Sequence, residues 1–279
     1  MVHARKWIGR AITHLILIGL GFVFFVPFAF LVSTAFKSER QIFVYPPIWI
    51  PNPIIWRNFT DVFDYAPFGR YLINTLYIVV AHLFGTVVTC SLTGYAFARL
   101  RAPGRDAIFM VLLSTMMVPW MVTLIPVYIL FARLEWINTF RPLVIPPLLG
   151  NTFYIFLLRQ YYMTIPYDLD EAALMDGCTS FSLLYRIMLV LVRPGIITVA
   201  IYTFINAWNE FLAALIIMSR EERFTLPILL TSVRSGLYGA IDWGALQAGV
   251  TVSMVPCLII FLLLQRYYIQ GLMGGAVKG

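Results

Sequence analysis

The chain has 279 residues, 61% of them hydrophobic and 12% charged, with a mean hydropathy of +0.84. Soluble domains are about half apolar and about a quarter charged, so this balance excludes a soluble protein and describes a polytopic membrane protein. The formal net charge of +7 is scattered over helix ends, as expected beside anionic lipid headgroups, and does not point to nucleic acid.

A membrane-spanning helix needs about 20 mostly apolar residues. Segments at about 12–36, 71–98, 106–131, 142–162, 194–218 and 245–267 meet that requirement and predict six transmembrane helices in an all-α fold. The first apolar run is too long for a cleaved signal peptide and lacks a small-residue cleavage site, so it reads as a retained anchor. Arg5, Lys6 and Arg10 precede it, and Arg99, Arg101 and Arg105 follow the second span. Basic residues concentrate in short cytoplasmic loops, so both termini are expected in the cytoplasm. The outer loop 37–70 carries Tyr45, Pro46, Pro47, Trp49, Pro51, Pro53 and Trp56. Proline fixes φ and removes donors, so a shaped, non-helical cover is expected there. A second outer loop falls at 219–244. Pro27, Pro119, Pro126, Pro146, Pro147 and Pro256 lie inside the predicted spans. Each frees a backbone carbonyl that a neighbouring helix or a wet cavity must satisfy.

The missing chemistry is informative. The lysines are Lys6, Lys37 and Lys278, and none follows a glycine, so the sequence carries no Walker-type phosphate loop. His3, His14 and His82 lack metal-ligand spacing, and His82 reads as interhelical hydrogen-bonding glue. Cys90, Cys178 and Cys257 stand far apart without a CxxC, which argues against a disulfide framework or a zinc site. No nucleophile-and-base set is present, so an enzyme is not expected. Glu210 falls inside the fifth predicted span, with Thr203 and Asn206 at helical spacing and Asn209 beside it. An intramembrane carboxylate suggests function by default. Two readings stand open: a polar stripe lining the route or gate, and interhelical hydrogen bonding near the outer end of the helix.

A polar island separates spans four and five. Pro166 stops the fourth helix, Asp168 or Asp170 is placed to cap a new one, and Glu171 falls in its first turn, where the helix dipole favours an anion. Gly177 permits a sharp turn. Over 179–190, Phe181, Leu184, Tyr185 and Met188 recur at helical spacing and predict one apolar face. Arg186 is the basic residue in mid-helix, too little for a polybasic membrane-surface helix, so docking into a groove of another protein is the better reading.

The sequence Glu171-Ala172-Ala173, Asp176-Gly177, then Ile187 and Leu189, resembles the EAA loop of permease subunits of ATP-binding-cassette (ABC) importers. Phe156 to Gln160, Ile165-Pro166, Trp208 to Phe211, Thr225 to Pro227, Asp242 to Gly244, Gln265 to Tyr267 and Gln270 to Leu272 narrow the resemblance to the maltose-type carbohydrate branch. The chain departs from that pattern at Val190, where the family usually has proline, and at Leu184, where phenylalanine is common.

The resemblance implies a type I ABC importer permease fold. Residues 1–70 would form the N-tail, first helix and outer loop. Residues 71–266 would form the permease core, with a coupling loop at about 164–193, and residues 267–279 a cytoplasmic tail. It implies import of an oligosaccharide, polyol or sugar phosphate across the cytoplasmic membrane. The implied partners are a second permease, a cytoplasmic ATPase dimer and an extracytoplasmic solute-binding protein. No cofactor would be held by this chain, because ATP would be bound by the ATPase. Glu171, Ala172, Ala173, Asp176, Gly177, Ile187 and Leu189 would contact or shape the ATPase joint, and Gln270, Gly271, Lys278 and Gly279 would reach toward it. Asn206, Asn209 and Glu210 are the candidate pathway or gate residues. The rival reading is an ATP-independent secondary transporter or channel subunit, which lacks an inverted repeat here in its support.

Overall fold

The computed structural model describes residues 2–65, 67–232, 234–235 and 240–276. The chain folds as two compact units. The first comprises Met1–Phe68 and Leu229–Val255, and the second Gly69–Ile228 and Pro256–Gly279.

In the first unit, α1 (Val2–Ala35) is apolar on all sides, and its most hydrophobic window buries nothing inside the chain. Such a helix needs lipid or another protein around it. Two short helices follow, α2 (Glu39–Ile42) and α3 (Arg57–Tyr65), joined by an irregular segment. Asn58 ties this region together, donating from Nδ2 to the carbonyls of Ala35 and Lys37 at 2.9 and 2.8 Å. A Cβ at Gly244 would stand 2.6 Å from the Asn58 side chain, so only glycine admits this approach. Two residues on each side pair as a short antiparallel ladder, β1 (Arg234–Ser235) with β2 (Ala240–Ile241).

The second unit begins with α4 (Phe68–Arg99), a continuous span. The third predicted span is not one rod: α5 (Arg105–Ser114), extended by a 3-10 turn to Met117, meets α6 (Trp120–Arg133) at 97°. Pro119 holds an extended φ/ψ at that corner, which explains the break. The fourth span is made of α7 (Arg141–Leu148) and α8 (Thr152–Met163), parted at Gly150, where φ is +97°. Asn151 restarts the helix by accepting from the amides of Phe153 and Tyr154. By contrast, Pro27 and Pro256 lie within continuous helices.

After α8 come α9 (Asp168–Met175), α10 (Ser180–Leu183), a π-helical stretch Leu184–Met188 and α11 (Leu189–Leu191). Next is α12 (Arg193–Trp208), bent by 77° from the preceding helix. The predicted fifth span 194–218 is also interrupted, because α12 ends at Trp208 and α13 (Leu212–Ile217) starts anew. Among the described residues, four helical segments are long and apolar enough to cross a membrane, and up to six spans result if each bent pair counts as one. The last two helices are α14 (Leu226–Ser232) and α15 (Trp243–Ala276). α15 continues as one helix through 267 to Ala276.

Two apolar clusters organise the second unit. One gathers Leu158, Tyr162, Leu184, Met188 and Val199 beneath the elbow, and the other gathers Ile78, Phe131, Leu143, Ala214 and Ile228.

Candidate functional site

The elbow between α8 and α12 owes its shape to local chemistry. Pro166 follows the end of α8, and α9 starts with Asp168, Asp170 and Glu171 in its first turn, where the exposed helix amides favour anions. Neither aspartate caps the helix. Tyr167 occupies the N-cap without a side-chain capping bond, and the expected cap Asp170 is instead buried. At the other end, Gly177 takes φ +82°. Its amide donates to the Leu174 carbonyl at 3.1 Å, and that of Cys178 to the Ala173 carbonyl at 3.0 Å. This is a Schellman closure, which satisfies the last carbonyls of α9 and reverses the chain. Thr179 then caps α10, its Oγ1 accepting from Ser182.

This geometry brings most of the expected coupling residues together. Glu171, Ala172, Asp176 and Gly177 are exposed on the elbow, whereas Ala173 faces inward and Ile187 and Leu189 are half-buried. Leu174 and Met175 add apolar surface to the tip, Met175 being 88% exposed. The predicted single face of the second helix divides. Leu184 and Met188 are buried with Leu183, while Phe181 and Tyr185 stay exposed as a ring pair 5.8 Å apart. The helix widens to a π turn over Leu184–Met188, and its buried stripe runs through Leu183, Leu184 and Met188. The helix ends at Leu191 without a proline at the exposed Val190, with Pro194 just inside the next helix.

The pathway candidates separate. Asn206 donates from Nδ2 to Tyr154 Oη at 2.8 Å and lines a cavity of about 320 Å³ with His82, Thr86, Asn151, Tyr154 and Thr203. Asn209 donates back to the Ile205 carbonyl, and Glu210 accepts from the Ala213 amide at 2.9 Å. Glu210 thus lies at a helix break rather than on a stripe with Thr203 and Asn206, and neither it nor Asn209 lines the cavity. Gln270 and Gly271 are described only as part of α15, and Lys278 and Gly279 lie outside the described residues. Among the described residues, no cluster of histidine, cysteine or carboxylate side chains has metal-binding geometry.

Sequence reasoning missed Arg99, read there only as an orientation signal. Its side chain is 2% exposed and lies 3.6 Å from Asp170. Burial pushes the Asp170 carboxyl above its ordinary value, Arg99 pulls it back, and Glu171 adds to the rise. The usable sequence signal was a carboxylate in the elbow helix facing an arginine that closes a span.

Long apolar helices and two sharply bent helix pairs, with a polar elbow between α8 and α12, define a polytopic helical membrane protein. Residues 90–273 match the family described as binding-protein-dependent transport system inner membrane component. The chain belongs to that family, and so is an inner-membrane permease component of such a transport system. It is 33% identical to the diacetylchitobiose uptake system permease protein DasC of Streptomyces coelicolor, over 93% of each chain. It is 31% identical to the arabinooligosaccharides transport system permease protein AraQ of Halalkalibacterium halodurans, over 95% of this chain and 96% of that one. Its fold is similar to a chain in the crystal structure of a bacterial ABC transporter involved in import of the acidic polysaccharide alginate. There the TM-score is 0.82 at 20% identity, covering 92% of this chain and 96% of that chain.

Proposed function

We propose that this chain is one of two permease subunits of an ATP-driven importer and carries a carbohydrate across the cytoplasmic membrane. The observation behind the proposal is the exposed, Schellman-closed elbow Glu171–Gly177, in a chain whose sequence has no phosphate loop of its own. A cytoplasmic ATPase dimer binds and hydrolyses ATP and receives the elbow in a groove. Glu171 supplies a charged contact, Ala172 and Ala173 allow close approach, and Asp176-Gly177 set the turn. Ile187 and Leu189 brace the second arm, and the C-terminal residues Gln270, Gly271, Lys278 and Gly279 add contacts. Both termini and the elbow lie in the cytoplasm, consistent with the basic cluster before α1 and the one after α4. An extracytoplasmic binding protein delivers the sugar to the outer loops. Asn206, Asn209 and Glu210 remain the candidate pathway or gate residues, Asn206 being supported by its place in the cavity. The carbohydrate class is supported by the names of relatives, which include uptake systems for diacetylchitobiose, arabinooligosaccharides and sulfoquinovosyl glycerol.

Purification and uptake test this reading. The tagged chain should bring along an ATPase and a second permease. In proteoliposomes with the cognate binding protein, the complex should import at least one of those three sugars only when ATP is present inside. Uptake by this chain alone without ATP would overturn the reading in favour of a secondary carrier.

A further inference from the structure

We propose that Arg99 is the positioning residue that anchors the elbow to the membrane bundle, with Asp170 as the partner that carries movement of α9 into α4. The proposal rests on the coupling reading above. Arg99 is the last residue of α4, yet its side chain turns inward, whereas nearby Arg101 is exposed. An arginine serving only to face headgroups extends its head to water. Burial of this cation is costly unless its surroundings compensate.

The compensation comes from elements about 60 residues away in sequence or more. Arg99 Nη2 donates to the carbonyls of Tyr162 at 2.7 Å and Ile165 at 2.5 Å, at and just beyond the end of α8, where a helix lacks intrahelical donors. Nη1 lies 3.6 Å from Asp170 Oδ2 in the first turn of α9. The guanidinium sits over the Tyr167 ring at 4.3 Å, and Tyr167 Oη donates to the Ala98 carbonyl at 3.0 Å. One turn earlier on α4, Tyr95 Oη donates to the Ser180 carbonyl at 3.4 Å, on the other arm of the elbow. Both arms are therefore tethered to one end of one span.

The joint is not saturated. Arg99 Nε and Nη1 and Asp170 Oδ1 are buried without hydrogen-bond partners. An ion pair of 3.6 Å with spare donors and a spare acceptor has room to follow a small displacement of α9 while the carbonyl bonds hold α8 in place.

The test uses the assembled complex in proteoliposomes, with spin labels at Ala102 and Asp168 in a background without native cysteines. Arg99→Met and Asp170→Asn should each broaden the distance distribution between the labels. Sugar imported per ATP hydrolysed should fall by about fivefold or more, within the range of single-residue coupling effects, while the ATPase stays bound. Arg99→Lys keeps the charge but has a single nitrogen, so it lacks the second one that faces Asp170 while the first holds the carbonyls, and it should fall between wild type and Arg99→Met. Asp170→Asn leaves the Arg99 carbonyl bonds in place, so it decides the matter if Arg99→Met fails to assemble. An unchanged label distribution with an unchanged import-to-hydrolysis ratio in Asp170→Asn overturns the proposal. If wild type imports without ATP, the coupling reading fails instead, and the label distances still test the anchor.

Discussion

At Gly177 a single backbone angle decides the shape of the elbow. With φ at +82°, any L side chain is strained, although no neighbouring atom stands within 4 Å of an added Cβ. Gly177→Ala should therefore cost about 1–2 kcal/mol of local stability, and Gly177→Pro should prevent the turn. Both should lower uptake per ATP hydrolysed, and Glu171→Lys should do so without a fall in membrane insertion. Measuring hydrolysis and uptake on one preparation checks this, and normal coupling in all three variants would contradict the joint. Lys37 poses the opposite case. The residue is 1% exposed, and its ammonium donates to Thr34 at 3.3 Å and lies over the Phe30 ring, with no carboxylate paired to it among the described residues. Burial lowers its pKa from 10.5, so the folded state disfavours the charged form. That penalty is present at neutral pH and vanishes as pH rises above the unfolded value. Lys37→Met should therefore melt at or above the wild-type temperature at pH 7, and the difference should shrink toward pH 10.5. A melting curve well below wild type at pH 7 would count against it.

The α4 helix and the break between α7 and α8 form a second device. Pro147 has no amide to donate to the Leu143 carbonyl, and His82 Nε2 bonds that oxygen instead. Thr86 and Thr89 donate to the carbonyls of Pro147 and Leu148, and Cys90 Sγ lies 3.7 Å from that of Asn151. These positions share one face of α4, and Gly85 lets the helices meet there, since a Cβ would stand 2.0 Å from Leu148 Cδ2. A buried carbonyl left unsatisfied costs about 1–3 kcal/mol, so His82→Ala should lower thermal stability by that order. Gly85→Leu should lower it further through the clash, read as melting temperature in detergent. His82 was legible as glue in the sequence, and Pro146-Pro147 as a break. The run of Thr86, Thr89 and Cys90 was not, because its meaning depends on a partner segment about 60 residues away.

Across the whole molecule, hydropathy predicts six crossings, and the described residues provide four spans, one of them interrupted at Gly150, and two sharply bent pairs. Cysteine introduced at exposed Asp176 should react with an impermeant maleimide only when the cytoplasmic side is open, and cysteine at exposed Tyr45 only from outside. Labelling of both from one side would contradict the proposed topology. Membership of the permease family, the elbow and the turn at Gly177 were readable from contiguous residues, because hydropathy, dipole placement and turn chemistry act over a few neighbours. The departure at Val190 did not prevent the helix from ending, since the chain breaks at Val192 and Pro194 is tolerated in the first turn of α12. Glu210 was misplaced because helical spacing holds only while the helix continues, and α12 stops at Trp208. The sequence by itself determined that this chain lives in a membrane and presents a polar elbow. Only the tertiary structure decided which side chains hold that elbow, because Arg99, Tyr162 and Asp170 meet through packing between segments far apart in the chain.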